Sequence, residues 1–315
     1  SIPLANYRFD ELSWNGTSSE VFDESGANHH GIAIGMTTTP SGKICSAGDF
    51  STTGTSDYLS IANTAANGLT DFTVSVWAMQ TGINTATILS GANAAQENEM
   101  IMFFNGSNTF QPFIKSSFVS LNNGGIADGN WHHLVWTRTN TNQCYYVDGA
   151  LVQCGNINRS GALDIDSGGL IIGQEQDSLG GGFDADQAWD GLLDELIIFD
   201  SALPESEINA IYNYQNAGNN YDGSSRTCPT IPIPLLEYRF EETNWNGTAN
   251  EIIDSSGNEY HGQVNNNSTP LTVLPALSGN PGTCGYASQD DGAIQVTGLP
   301  LDTTTAGVKT TVTFW

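Results

Sequence analysis

The sequence predicts an all-β fold, a two-sheet sandwich with one short helix near the end of its first 228 residues. Short runs rich in aromatic and β-branched residues are separated by clusters of Gly, Asn and Asp, a pattern typical of strands and turns. No strand alternates with a helix as a parallel sheet requires, so many short strands indicate a sandwich. The clearest predicted strands cover residues 72–78, 99–104, 131–138, 143–147 and 192–199.

Residues 204–213 have the pattern of an amphipathic helix. Pro204 suits the first helical turn, and two glutamates close behind it are favoured there by the helix dipole. Ile208, Ile211 and Tyr212 fall on one face. We therefore expect one short C-terminal helix that packs on a sheet edge.

The charge balance limits the possible partners. The chain has 34 Asp plus Glu against 8 Lys plus Arg, a formal net charge of -26, and no basic stretch that could neutralise phosphates. It also lacks the roughly 18 consecutive apolar residues of a membrane helix. The sequence thus argues against nucleic acid as a partner and against direct membrane insertion. Surplus carboxylates need solvent or cations, so bound metal is plausible.

The chain contains a long-period internal repeat. Residues 2–4, 7–9, 14–17, 25–26 and 30–31 recur as residues 233–235, 238–240, 245–248, 256–257 and 261–262. The last five residues, 311–315, match residues 73–77. We predict a complete domain at 1–228, a linker at 229–232, and the N-terminal part of a second, truncated copy at 233–315. So few strands bury little core, and we expect the truncated copy to be partly disordered or to lean on the first domain.

Five cysteines without a C-x-x-C pair argue against zinc and favour disulfides in an exported protein. Cys144 and Cys154 flank an Asp-Gly hairpin signal, so they are expected to link neighbouring strands. A Cys45–Cys228 bridge would tie an early strand to the domain exit, and Cys284 would then remain odd. The spacing alone leaves this connectivity open. We expect an extracellular or cell-surface location, with a signal peptide outside this chain.

An acidic segment rich in glycine, residues 173–191, offers carboxylates, amides and a flexible bend. We call it the acidic loop. Calcium takes roughly six to eight oxygen ligands of these mixed types. The segment 96–99, just before a predicted strand, is a natural second contributor. The pattern therefore predicts a calcium site.

Two motifs carry a family resemblance: Gln-Glu-Gln-Asp-Ser at 174–178 and Gly-Gly-Phe-Asp at 181–184, followed by Gln187. Together they resemble the calcium loop of the pentraxins, and the resemblance extends over much of residues 70–213. It implies an antiparallel jelly-roll sandwich of the concanavalin A-like, laminin-G-like type. The N-terminal pattern and the repeat resemble bacterial laminin-G-like domains of adhesin and pilus-associated surface proteins of the MshQ type.

The resemblance implies two calcium ions and a lectin-like or adhesin-like role. The implied metal ligands are Glu97, Asn98, Glu175, the Gln176 backbone carbonyl, Asp177, Asp184 and Gln187. The four carboxylates would balance two divalent cations. A glycan or a phosphate-bearing molecule would bind at the second ion, with Phe103 supporting its apolar part. Ser75 and Val135 stand where the family places an intradomain disulfide, so oligomeric state and ligand identity do not transfer.

Two other functions compete with calcium-dependent binding. A structural spacer stiffened by calcium would have a closed coordination shell and no exposed aromatic beside it. A glycoside hydrolase needs two carboxylates across a cleft. Asp194 and Glu195 have the wrong period for that pair, so we expect no enzymatic activity.

Two further groups are weaker candidates. The histidine pairs at 29–30 and 132–133 cannot chelate as units, because adjacent strand residues point to opposite faces. Asp23 with Asp194 could form a minor cation site, although Asp23 suits an Asx-type turn better.

Overall fold

The computed structural model describes residues 1–51, 56–80, 85–106, 109–122, 124–229, 235–240, 242, 247–266, 273–279, 282–285, 292–297 and 299. The chain divides into two compact units, Ser1–Thr230 and Ile231–Trp315. Most of the predicted linker and the repeat match at 311–315 lie outside the described residues. No helix in the described part is long and apolar enough to span a membrane.

The first unit consists almost entirely of short strands. In chain order these are β1 (Ala5–Tyr7), β2 (Ile32–Ile34), β3 (Thr37–Thr39), β4 (Ala47–Asp49), β5 (Tyr58–Ser60), β6 (Phe72–Met79), β7 (Ala86–Asn93), β8 (Gln96–Asn105), β9 (Thr109–Phe110), β10 (Phe113–Ile114), β11 (Ser117–Phe118), β12 (Leu121–Asn122), β13 (Trp131–Thr139), β14 (Asn142–Val147), β15 (Ala150–Asn156), β16 (Leu170–Ile172) and β17 (Leu192–Phe199). Short 3₁₀ turns cover Asn63–Ala65 and Ala185–Gln187, and helix α1 covers Glu205–Asn216.

The strands form two sheets. The eight-stranded sheet has the order β15-β14-β13-β6-β17-β4-β3, with β1 paired to β17. The nine-stranded sheet has the order β11-β10-β8-β7-β16-β5-β2, with β9 joining β8 to β12. Every pairing between these named strands is antiparallel, from the β1–β17 pair onward. The predicted all-β, two-sheet antiparallel jelly-roll sandwich with one short helix is confirmed.

Alternation along the strands builds two apolar layers. In β13, Leu134 and Trp136 face the core between the sheets, whereas Val135 joins a second cluster under α1. The helix begins at Glu205, and Pro204 is its N-cap with an extended backbone (φ -69°, ψ 152°) rather than a residue of the first turn. It covers the outer face of β13, β14 and β17 rather than the expected sheet edge. Each large apolar side chain buried in either layer stabilises the fold by about 1.5–3 kcal/mol.

The structure contains two disulfides in the first unit. Cys45 and Cys228 are joined with a Cα–Cα distance of 5.3 Å. Cys144 and Cys154 are directly opposed on β14 and β15, with a Cα–Cα distance of 4.1 Å. Cys284, predicted to remain odd, lies outside the residues whose side chains are described.

A buried aspartate organises the N-terminal turn. The Asp23 carboxylate accepts hydrogen bonds from the backbone N–H groups of Asn6, Ser25 and His29, at 2.9 Å each, and from the Ser25 hydroxyl at 2.8 Å. These bonds lower the pKa of Asp23 despite its burial. The side chain is therefore occupied by its own turn, which favours the Asx-type interpretation over a cation site.

The second unit repeats this arrangement around Asp254. Its carboxylate accepts from the backbone N–H groups of Glu237, Ser256 and Tyr260, at 2.9–3.0 Å. The same hydrogen bonds thus form in both copies of the repeated sequence. Elsewhere in this unit the described strands are β18 (Gly262–Asn266), paired with β21 (Gly292–Val296), and β19 (Val273–Gly279), paired with β20 (Gly282–Gly285).

Candidate metal centre and its surroundings

The acidic loop begins at the end of β16 and crosses the outer face of the nine-stranded sheet. The Ser90 hydroxyl of β7 donates to the Gln174 carbonyl at 2.7 Å. The Gln176 amide nitrogen donates to the Ser90 hydroxyl at 2.9 Å and to the Gly169 carbonyl at 3.0 Å. The Gln176 amide oxygen accepts from the Gly180 N–H at 2.8 Å. The fully buried Gln176 side chain is thus a structural anchor of the loop.

Glycine at the bend is required by backbone conformation and by space. Gly182 has a φ of +71°, and a Cβ there would lie 3.0 Å from the Asp177 Cβ. Beyond the bend, the Phe183 ring packs against Tyr58 of β5 with a centroid distance of 4.8 Å. The loop is therefore fixed at both sides of its glycine bend.

Four carboxylates gather around this loop. Glu175 is buried, at 5% exposure, whereas Glu97, Asp177 and Asp184 are exposed. Burial, followed by the negative charges of Asp177, Glu97 and Asp184, raises the pKa of Glu175 to about 7. A hydrogen bond from the Gln176 backbone N–H lowers this pKa but does not outweigh the other effects. The four carboxylates repel one another, so this part of the structure lacks the positive charge that would balance them.

Two buried oxygens of this cluster support a cation. Glu175 Oε2 and Asn98 Oδ1 have no hydrogen-bond partner among the residues that the structure describes. An unsatisfied buried polar atom costs about 1–3 kcal/mol, more when it is charged. Carboxylate and amide oxygens are the donors that calcium prefers. The residues present therefore fit calcium.

The carboxylates do not converge on one point. Within the described part of the chain, no three His, Cys, Asp or Glu side chains are close enough to hold a metal ion together. Amide and backbone oxygens would therefore have to complete any shell.

The remaining predicted ligands flank the cluster. Glu97 and Asn98 are the second and third residues of β8, and the Asn98 carbonyl accepts from the Ser116 N–H at 2.9 Å. Asp184 caps the second 3₁₀ turn by accepting from the Asp186 N–H at 3.0 Å, and Gln187 ends that turn. The structure thus places all seven predicted metal-ligand residues on the acidic loop and the adjacent start of β8.

Phe103, the predicted ligand-supporting aromatic, lies half-buried on β8. Its ring contacts Phe113 at a centroid distance of 5.8 Å, and Phe113 contacts Phe118 at 5.0 Å. Sequence reasoning missed Phe113, Phe118 and the Tyr58 anchor. Their strands are only two or three residues long, so they carry no periodic signal.

The histidine pairs have structural environments. His133 is fully buried, its Nε2 lies 2.8 Å from the Ser75 hydroxyl, and burial lowers its pKa to about 3. His132 lies between Asp148, at 2.9 Å, and Asp128, at 3.2 Å. These carboxylates raise the pKa of His132 against the effect of burial.

The acid pair considered for hydrolysis is buried. Asp194 and Glu195 are at most 1% exposed. Glu195 forms an ion pair with Arg226 at 2.6 Å, and Asp194 accepts from the Ile44 N–H at 2.9 Å. Burial raises the pKa of both carboxyls. Neither side chain is accessible to a substrate.

Comparisons with known proteins locate the likeness on this same region. The Pentaxin family is matched by residues 47–221. Human Pentraxin-4 is 29% identical over 212 residues, covering 59% of this chain and 44% of that protein. Neuronal pentraxin-2 of Cavia porcellus is 36% identical over 151 residues, covering 46% of this chain and 34% of that protein. The chain thus spans less than half the length of these curated relatives.

A solved structure, the native heptameric SAP-like pentraxin from Limulus polyphemus, is 23% identical with a TM-score of 0.42. The match covers 49% of this chain and 75% of that one.

Proposed function

The chain belongs to the pentraxin family, and from that premise we propose that its first unit is a calcium-dependent binding module for a carbohydrate or a phosphate-bearing ligand. The observation that carries the proposal is the pair of buried oxygens, Glu175 Oε2 and Asn98 Oδ1, without a protein partner among the described residues. They lie in a cluster of four carboxylates that a divalent cation would neutralise.

The residues that would hold calcium are those of the acidic loop and of β8. Glu97, Asn98, Glu175, Asp177 and the Gln176 carbonyl would hold a first ion. Asp184 and Gln187, together with Glu175 and Asp177, would hold a second. Bound calcium supplies coordination positions that oxygen atoms of a ligand can fill. The Gln176 side chain would keep the loop in place, since its amide is bonded on both sides.

We also propose that the protein acts outside the cell or at its surface, in the adhesin-like manner suggested by its N-terminal pattern. Two disulfides support an oxidising compartment. The net charge of -26 argues against nucleic acid as a partner. We propose a binding role without catalysis, because the only acid pair considered for hydrolysis is buried. A spacer stiffened by calcium is the alternative, and a coordination position open to a ligand beside Phe103 would exclude it.

Calorimetric titration with calcium, paired with thermal unfolding of the full chain in calcium or chelator, tests the proposal. Calcium at 100 to 1,000 times its dissociation constant should stabilise the protein by about 2.7 to 4.1 kcal/mol. Asp177→Asn should remove most of that gain. Asp200→Asn, the same change at an exposed residue that follows β17, should leave it intact. Unchanged melting with calcium and no heat of binding would contradict the proposal.

A further inference from the structure

The Cys144–Cys154 disulfide lies at the open edge of the eight-stranded sheet. Its two cysteines are directly opposed on β14 and β15, and β15 is the end strand of that sheet. The two sulfurs differ in access, because Cys144 is 8% exposed and packs in the cluster under α1, whereas Cys154 is exposed. The rate of thiol–disulfide exchange depends on access to the sulfur that is attacked. An external thiol would therefore meet Cys154 first.

The direction of attack favours the same sulfur. In thiol–disulfide exchange the thiolate approaches along the S–S axis, from the side opposite the leaving sulfur. Among the described strands, none pairs with the outer side of β15, so the approach to Cys154 starts in solvent. On the other side of Cys144 stands Thr137 of β13, which is buried. The approach to Cys144 is therefore blocked by protein.

The buried sulfur has a hydrogen-bond donor. The Asn142 side-chain amide donates to Cys144 Sγ at 3.3 Å. Asn142 and Cys144 are two residues apart on β14, so their side chains lie on the same face of the strand. A sulfur leaves faster when its anion is stabilised, and this N–H group would stabilise a thiolate on Cys144. Attack on Cys154 thus combines an open approach with a stabilised leaving group.

The charge around the bridge does not oppose an incoming thiolate. Residues 139–158 contain a single charged side chain, Asp148, in a chain whose formal net charge is -26. Its carboxylate lies in the turn of the hairpin, where it contacts the His132 ring at 2.9 Å and accepts from the His133 N–H at 3.0 Å. A thiolate is an anion, so nearby carboxylates would slow its approach. The nearly uncharged hairpin also offers few ionic contacts to a large partner, which favours a small thiol.

The hairpin is held in place independently of the bridge. β14 and β15 are paired along their length with one bulge, and the Ile157 N–H donates to the Thr141 carbonyl at 2.8 Å just beyond the strands. Cys144 would therefore stay opposite Cys154 after exchange, within reach of the new mixed disulfide. Attack by the Cys144 thiolate would then expel the bound thiol and restore the bridge.

We propose that Cys154 is a reversible attachment site for a small external thiol, with Cys144 as the leaving and resolving cysteine. This inference goes beyond the proposed function and does not depend on calcium. The external thiolate attacks Cys154 Sγ, the Cys144–Cys154 bond breaks, and its electron pair leaves on Cys144, which takes up a proton from solvent. One disulfide is broken and one is formed, so the exchange needs no further oxidant or reductant.

Exchange of the full chain with 2-mercaptoethanol, stopped with acid and followed by alkylation and peptide mass spectrometry, tests the inference. Every protein carries Cys284→Ser, so that the fifth cysteine cannot react. Without denaturant we expect the mixed disulfide on Cys154 and the alkylated thiol on Cys144, with the opposite product about tenfold rarer or less. Removal of free 2-mercaptoethanol before the acid step should restore the bridge.

Two matched variants separate the hydrogen bond from the effect of charge. Asn142→Asp keeps the size of the side chain but removes the N–H donor, and it should slow exchange at Cys154 about threefold or more. Asn156→Asp adds the same charge at the directly opposed position on β15 and keeps the Asn142 donor, so it should react close to the wild-type rate. The Cys45–Cys228 bridge is the internal reference, and neither variant should alter its exchange.

Three results would overturn the inference. A mixed disulfide found mainly on Cys144 would reverse the assignment of the attacked and leaving sulfurs. Exchange that occurs only in urea would show that the bridge opens only on unfolding. Equal rates for Asn142→Asp and Asn156→Asp would remove the Asn142 amide from the reaction. The proposed calcium-dependent function stands in each case, because none of these results concerns the acidic loop.

Discussion

Replacing Glu175 by Gln should stabilise the protein without calcium and destabilise it with calcium. Glu175 is buried and faces three other carboxylates. When no cation is present, ionising this residue in the folded state is unfavourable. When calcium is present, the same charge is a ligand shared by both proposed ions. One isosteric substitution therefore separates repulsion from coordination.

The magnitude follows from the pKa of Glu175, which is about 7 in the folded protein against an ordinary value of 4.5. Between these pH values the folded state holds a proton that the unfolded state has lost, so stability without calcium falls as pH rises from 4.5 to 7. The total loss is about 2–3 kcal/mol once solvent screening by the exposed neighbours is included. The Glu175→Gln variant has no carboxyl group to ionise at this position, so its stability should not show this loss.

Urea unfolding of the full chain, followed by tryptophan fluorescence at pH 4 and pH 8, measures the effect. In chelator at pH 8 we expect the free energy of unfolding of the variant to exceed that of the wild type by about 2–3 kcal/mol. At pH 4 the two free energies should be equal. In saturating calcium at pH 8 the order should reverse. Glu205→Gln, an exposed glutamate in the first turn of α1, is the control. It should lose about 0.3–1 kcal/mol of helix-dipole stabilisation at pH 8 equally in chelator and in calcium, and it should show neither the gain in chelator nor the reversal. A variant less stable than the wild type in chelator at pH 8 would refute the reasoning, because the carboxylate would then be satisfied by the protein itself.

Two other perturbations test the fold around the site. Removing the Cys45–Cys228 disulfide, with a sequence separation of 183, should lower the free energy of unfolding by about 5 kcal/mol. Removing Cys144–Cys154, with a separation of 10, should lower it by about 3 kcal/mol, because a shorter loop restrains the unfolded chain less. Equal losses in denaturant titrations would contradict this loop-entropy argument. Asp23→Ala should cost about 3 kcal/mol because three backbone N–H groups lose their acceptor. Calorimetry should show an unchanged calcium affinity for that variant, and a weakened affinity would revive Asp23 as a cation ligand.

Local pattern was enough for the long strands. Residues 131–138 and 192–199 were predicted as strands, and β13 and β17 cover Trp131–Thr139 and Leu192–Phe199. The apolar alternation, or the continuous apolar composition, that identifies a strand lies entirely within each of these segments. The acidic loop was also readable, because Glu175 and Asp177 lie within a few residues of the glycines that let the chain bend.

Features that depend on register were out of reach. Phe118 lies beside Phe113 only because β10 pairs with β11 in one particular register, and nothing in two-residue strands specifies it. The buried Glu195–Arg226 ion pair joins residues far apart in sequence, so no local spacing signals it. Gln176 was expected to contribute only a backbone carbonyl, whereas its side chain anchors the loop. The domain boundaries and the metal-ligand set remain predictions.

The contact between Asp10 and Arg226 has a mechanical consequence. Asp10 follows the first strand and Arg226 precedes Cys228, yet their side chains lie 2.6 Å apart, so the chain enters and leaves the first unit at one place. Tension applied across this unit is carried by the β1–β17 pairing and the bridge from Cys45, all within or beside the eight-stranded sheet. Ser90 holds the acidic loop on the other sheet, and the loop joins the loaded sheet where Gly191 leads into β17. A pull on the chain would therefore reach the proposed metal ligands through that junction.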